Sequence, residues 1–151
     1  MRPLALAPVL LSALLAVPLA AKAQTAAPAA LQRTPSPAGA EVYIISPKDG
    51  AKVTSPVRVQ FGLKGMGIAP AGVKFDNTGH HHLLIDADPP ANLGAPLAAT
   101  DRIVHFGKGQ SETMLTLTPG KHTLQLLLAD QNHIPHDPPV ISKKITITVS
   151  K

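Results

Sequence analysis

Val57, Val59, Phe61 and Leu63 alternate with Arg58, Gln60, Gly62 and Lys64. That period of two predicts a strand with one face buried and the other wet. The same pattern recurs near the C-terminus, where Ile145, Ile147 and Val149 alternate with Thr146, Thr148 and Ser150, and again where His122, Leu124, Leu126 and Leu128 share one face. Short β-branched runs bounded by Gly, Pro, Asn and Asp clusters complete the set. The spacing predicts seven strands, over residues 42–45, 57–64, 80–87, 102–106, 112–118, 121–129 and 140–149, and no amphipathic helix of useful length. Seven short strands in one domain point to an all-β fold, a single seven-stranded immunoglobulin-like β-sandwich.

The first residues follow another rule. Arg2 precedes an apolar run from Leu4 to Ala20, and Ala21-Lys22-Ala23 fits a small-x-small cleavage site. Residues 1–23 are expected to be a signal peptide that is cleaved. Residues 24–40 are rich in Ala, Pro and Thr and are expected to be a disordered tether. The domain is expected to occupy 41–151. Pro3, Pro8 and Pro18 and the shortness of the apolar run argue against a membrane span, so the protein is expected to be periplasmic or secreted.

The chain holds no cysteine. An exported domain of this kind has no disulfide to lean on, and a metal site in it must use His, carboxylate or Met. The formal charge of +5 falls to +3 without Arg2 and Lys22, and the remaining basic residues are scattered. With no Trp, one Tyr and three Phe, the stacking platforms of single-stranded nucleic-acid binders are missing. Nucleic acid is not an expected partner; another periplasmic or envelope protein is compatible with the composition.

Six of the seven histidines lie in three segments: 78–86, 104–107 and 132–139. In the predicted sandwich, the start of the third strand, the end of the fourth and the loop after the sixth meet at one pole. His80, His82, His105, His133 and His136 are therefore the candidate metal ligands. Within the third strand, His81 shares parity with Leu83 and Ile85, whereas His80 and His82 project together to the other side. Two residues along a strand is about 6.6 Å, which two imidazoles can close around one ion. Asp86, Asp130 and Asp137 are candidate acceptors that would fix ring tautomers behind the ligands. His81 and His122 are expected to be structural, His81 in the core and His122 at the opposite pole. An all-imidazole set suits copper or zinc. Ordinary imidazoles would release such an ion below about pH 6.5.

The segments Thr78-Gly-His-His-His-Leu-Leu-Ile-Asp86, His105-Phe-Gly-Lys-Gly-Gln110, Pro119-Gly-Lys-His-Thr-Leu-Gln-Leu126 and Asn132-His-Ile-Pro-His-Asp-Pro-Pro139 resemble an exported bacterial family, domain of unknown function 4399. The resemblance spans about 42–149. It implies an exported location and supplies no mechanism, so the metal reading rests on the residues. Two other functions fit them: a structural or adhesive envelope module whose histidines brace loops, and a mononuclear zinc hydrolase with three His ligands and an open fourth position. No nucleophile elbow or phosphate-cradling loop accompanies the second, which makes an enzyme the weaker expectation.

Overall fold

The computed structural model describes residues 32–150. Within them every regular element is a strand: β1 Glu41–Ser46, β2 Lys52–Thr54, β3 Val57–Lys64, β4 Gly67–Ile68, β5 Thr78–Ile85, β6 Ile103–His105, β7 Glu112–Leu115, β8 Gly120–Ala129 and β9 Ile145–Ser150. The expected seven thus become nine. The additions, β2 and β4, are three and two residues long, too short to carry a period. The expected 112–118 strand stops at Leu115. The expected 140–149 strand becomes regular only at Ile145, although Leu128 N–H donates to Val140 O and Ile141 bridges Leu127. The expected signal peptide lies outside the described residues.

The strands form a three-stranded sheet, β1-β3-β7, and a six-stranded one, β2-β9-β8-β5-β4, with β6 also paired to β5. The alternation in β3 explains how the two meet. Val57, Val59 and Phe61, with Val42 of β1, pack onto Leu83 and Ile85 of β5, Leu124, Leu126 and Leu128 of β8, and Ile147 and Val149 of β9. Arg58 and Glu112 pair on the outer side of the smaller sheet at 2.7 Å. Burying each such Val, Leu or Phe stabilises the fold by about 1.5–3 kcal/mol, with no disulfide needed.

The larger sheet is also covered on its outer face. Leu84, Leu127 and Ala129 form a second cluster with Leu97, and Leu93, Ile103 and Ile141 pack against it. Leu93 and Leu97 come from the Pro-rich loop after β5, which folds back across the sheet. Strand β5 is consequently buried on both faces, with every residue from Gly79 to Ile85 withdrawn from solvent. A strand buried on both sides ordinarily reads as continuously apolar; this one carries three histidines.

Residues 33–36 depart from the expected tether, because they are bonded to the loop after β8. Thr34 Oγ1 donates to Asp130 Oδ2 at 2.6 Å, Arg33 Nε donates to Pro135 O at 3.0 Å, and Ser36 N donates to Asp137 O at 3.0 Å. The folded part therefore begins earlier than residue 41. A polar side chain every residue or two, each finding a loop carbonyl or carboxylate, outweighs the disorder that the composition suggests.

Candidate metal centre

The pairing register assembles the site. His82 stands directly opposite His105 in the β5–β6 ladder, where side chains on one face lie about 4.5–5.5 Å apart at Cβ. His80 is two residues back on the same face and pairs with Ala129, the last residue of β8. The chain then turns tightly. Asp130 Oδ1 accepts from Asn132 N–H at 2.8 Å and Ile134 N–H at 3.0 Å, and His133 takes φ of 65°, a left-handed conformation uncommon outside glycine. That turn lays the His133 ring over the other three, and its carbonyl is held by Leu97 N–H at 2.8 Å.

Four imidazoles result. Ring centres are 4.9 Å apart for His80–His82 and His80–His105, 5.1 Å for His82–His105, 5.0 Å for His80–His133, 4.7 Å for His105–His133 and 6.1 Å for His82–His133. One nitrogen from each of His80, His82 and His105 lies within 4.8 Å of the others. Three such atoms lie no more than about 2.8 Å from a common point, and an imidazole–zinc bond of roughly 2.0–2.1 Å would draw the rings inward by the difference.

His80 and His82 are fully buried. Both nitrogens of each ring, and Nε2 of His105, are buried without a hydrogen-bond partner. Native interiors pair nearly all their buried polar groups, and each orphan costs about 1–3 kcal/mol. A single ion could take one nitrogen from each of these three rings, which accounts for three of the five; the second nitrogen of His80 and of His82 stays without a protein partner, as do His81 Nε2 and His136 Nδ1 on the inner face. Burial, followed by mutual repulsion among the rings, lowers the pKa of His80 to about 4 and that of His82 to about 3. Burial and His133 also lower that of His105. His80 and His82 are thus neutral, with lone pairs free, well below the pH at which ordinary imidazoles protonate. The expected release below about pH 6.5 supposed ordinary imidazoles; burial holds the protonation of these two rings below that pH.

The structure separates His136 from the other four candidates. Pro135 bridges Ala129, so the chain passes to the opposite face of β5. There His136 lies against Gly79, where an added Cβ would come within 2.9 Å of its ring, and its Nε2–H donates to Thr78 O at 3.2 Å. His81 also faces this inner side, its ring centre 5.1 Å from that of Phe61 at a tilt of 55°, with Nδ1 3.3 Å from Gln110 O.

The three carboxylates serve elsewhere than on the rings. Asp86, at φ of 51° just beyond β5, accepts from His122 Nδ1–H and Thr123 N–H, both at 2.7 Å. Burial opposes its ionisation, yet these donors hold its carboxyl below the usual range. His122 also donates from Nε2 to Thr118 O at 2.8 Å; with both nitrogens donating, its pKa is raised, chiefly by Asp86. Asp137 is exposed and pairs with Arg33 at 3.2 Å. Asp130 is buried and braces the His133 turn without bonding a ring of the cluster.

Gly107 was not singled out by the sequence. A Cβ there would lie 2.4 Å from His105 Nε2, so only glycine leaves room for that ring. The spacing His105-Phe106-Gly107 was the available signal. Arg33 and Thr34 gave none, lying in a compositionally plain stretch.

The profile of domain of unknown function 4399 matches residues 59–150, well over half of the chain. The chain belongs to this family. The span shared with domain of unknown function 4399 contains all four rings and Gly107, whereas Arg33 and Thr34 precede it. No curated protein and no solved structure matches the chain.

Proposed function

We propose that this protein is an exported module that holds one late transition metal ion, zinc or copper, through His80, His82, His105 and His133. The observation that carries the reading is the convergence of one nitrogen from each of His80, His82 and His105, in rings whose buried nitrogens have no protein partner. Loop-bracing histidines would spend their nitrogens on protein acceptors, as His122 does with both of its own.

The nitrogens that already converge belong to His80, His82 and His105; the spacing of ring centres supports His133 as a fourth ligand once its ring turns a nitrogen toward them. With each ring centre about 3.2 Å from an ion, a tetrahedron sets the centres about 5.2 Å apart. Five of the six separations here lie between 4.7 and 5.1 Å. A square plane would need two opposite pairs at about 6.4 Å, and only His82–His133, at 6.1 Å, approaches that. The spacing favours zinc, while the general affinity order favours copper(II). A ring in the fourth position leaves no open site for water, which argues for holding or delivering an ion rather than hydrolysis.

The leader and the sequence pattern support export. The strand order β1-β3-β7 against β9-β8-β5 supports an immunoglobulin-like sandwich with added short strands. Titration of chelator-treated, tag-free protein with Zn(II) and Cu(II) at pH 7.5 tests the function. One ion per chain is expected to bind more tightly than about 10 μM, and alanine at His80 and His82 is expected to abolish it. Weaker binding, or binding untouched by those changes, refutes the proposal.

A further inference from the structure

The loop that carries His133 is fastened from outside. Asp130 Oδ1 shapes the turn by taking the amides of Asn132 and Ile134, and its other oxygen is held by the Thr34 hydroxyl at 2.6 Å. Arg33 adds three donors on the same loop: Nε to Pro135 O at 3.0 Å, Nη2 to His136 O, and Nη1 to Asp137 Oδ1 at 3.2 Å. The backbone follows suit, with Asp137 N donating to Thr34 O at 2.9 Å and Ser36 N donating to Asp137 O at 3.0 Å. Ser36 Oγ closes the row on Pro138 O at 2.7 Å.

Only one cluster histidine depends on this clasp. His80, His82 and His105 are carried by paired strands. His133 sits in a loop and in a left-handed backbone conformation, which persists only where surrounding contacts enforce it. Asp130 enforces it, and Thr34 orients Asp130.

We infer that Arg33 and Thr34 are positioning residues for the fourth ligand, so that the segment preceding the family's shared span sets how firmly the ion is retained. With the clasp closed the shell has four imidazoles. With it open the shell has three, and the ion exchanges with solvent and with competing ligands. This rests on the metal reading above. It makes retention adjustable at a point that bonds none of the four rings.

Full-length protein bearing Thr34→Val tests it, with Thr34→Ser as the control that keeps the hydroxyl and Arg33→Met as a second break in the clasp. Three measurements are needed: amide exchange at Asn132 and Ile134 without metal, the rate at which bound Zn(II) passes to a chelator, and the visible spectrum of the Co(II) form. Thr34→Val and Arg33→Met are expected to speed exchange at those amides and to release zinc about tenfold faster or more, the order of effect that loss of support around a ligand has on metal affinity. Their Co(II) spectra are expected to match that of His133→Ala, while Thr34→Ser stays as wild type. Unchanged exchange overturns the clasp, and faster exchange with unchanged zinc release overturns its link to the ion. Wild-type protein that takes up neither Zn(II) nor Co(II) overturns the metal reading and this inference together.

Discussion

Replacing His82 by leucine separates a metal ligand from a structural histidine, because the two predict opposite signs. His82 is fully buried, with both ring nitrogens unpartnered, beside the apolar cluster of Leu84, Leu97 and Leu127. Leucine is of similar volume, so the cavity and overpacking terms are small. It removes two orphaned polar atoms at about 1–3 kcal/mol each, of which repacking returns a part. The metal-free variant is expected to be more stable than wild type by about 2 kcal/mol. For a domain of this size that raises Tm by roughly 8 °C. Urea unfolding and thermal melts of chelator-treated protein at pH 7.5 measure it, and the same variant is expected to lose the stabilisation that saturating Zn(II) gives wild type. A metal-free variant less stable than wild type by more than about 1 kcal/mol would refute the reasoning, since it would mean that the ring nitrogens already have partners in the apo fold.

Three further outcomes follow from the geometry. Unfolded, His80 and His82 titrate near 6.5; folded, near 4 and 3. Below pH 6.5 the unfolded chain therefore binds more protons, and metal-free stability declines as pH falls, by up to about 1 kcal/mol per ring per pH unit between about pH 6 and the folded values; a flat urea profile between pH 7 and 5 would contradict this. Gly107→Ala drives a Cβ to 2.4 Å from His105 Nε2 and is expected to weaken Zn(II) binding at least tenfold in calorimetric titration while the circular dichroism spectrum stays that of wild type. His136→Gln is expected to leave Zn(II) affinity within twofold, because that ring lies across β5 from the ion.

Much of the site was legible as parity. Alternation in β5 put His80 and His82 on one side and His81 with Leu83 on the other, and the packing of Phe61 on His81 follows from it. The return of β6 toward the start of β5 placed His105. What period could not reach was loop conformation. His133 and His136 are three residues apart in one Pro-rich loop, yet the Asp130 turn and the Ala129–Pro135 bridge send them to opposite faces. Asp86 is adjacent in sequence to β5 but turns toward His122 through its left-handed φ. β2 and β4, of three and two residues, have no readable period and no apolar β-branched pair to mark them, whereas the three-residue β6 was marked by Ile103 and Val104. The clasp at Arg33 and Thr34 depends on side chains meeting a partner about a hundred residues away, and no local pattern records such a meeting.

X-ray absorption at the zinc edge of protein loaded with one equivalent of Zn(II) bears most directly on the centre. The account predicts a single shell of four nitrogens near 2.0 Å, with the outer-shell scattering of imidazole rings, and its reduction to three when His133 is alanine. A six-coordinate shell dominated by oxygen, or an unchanged spectrum in His80→Ala and His82→Ala protein, would contradict it.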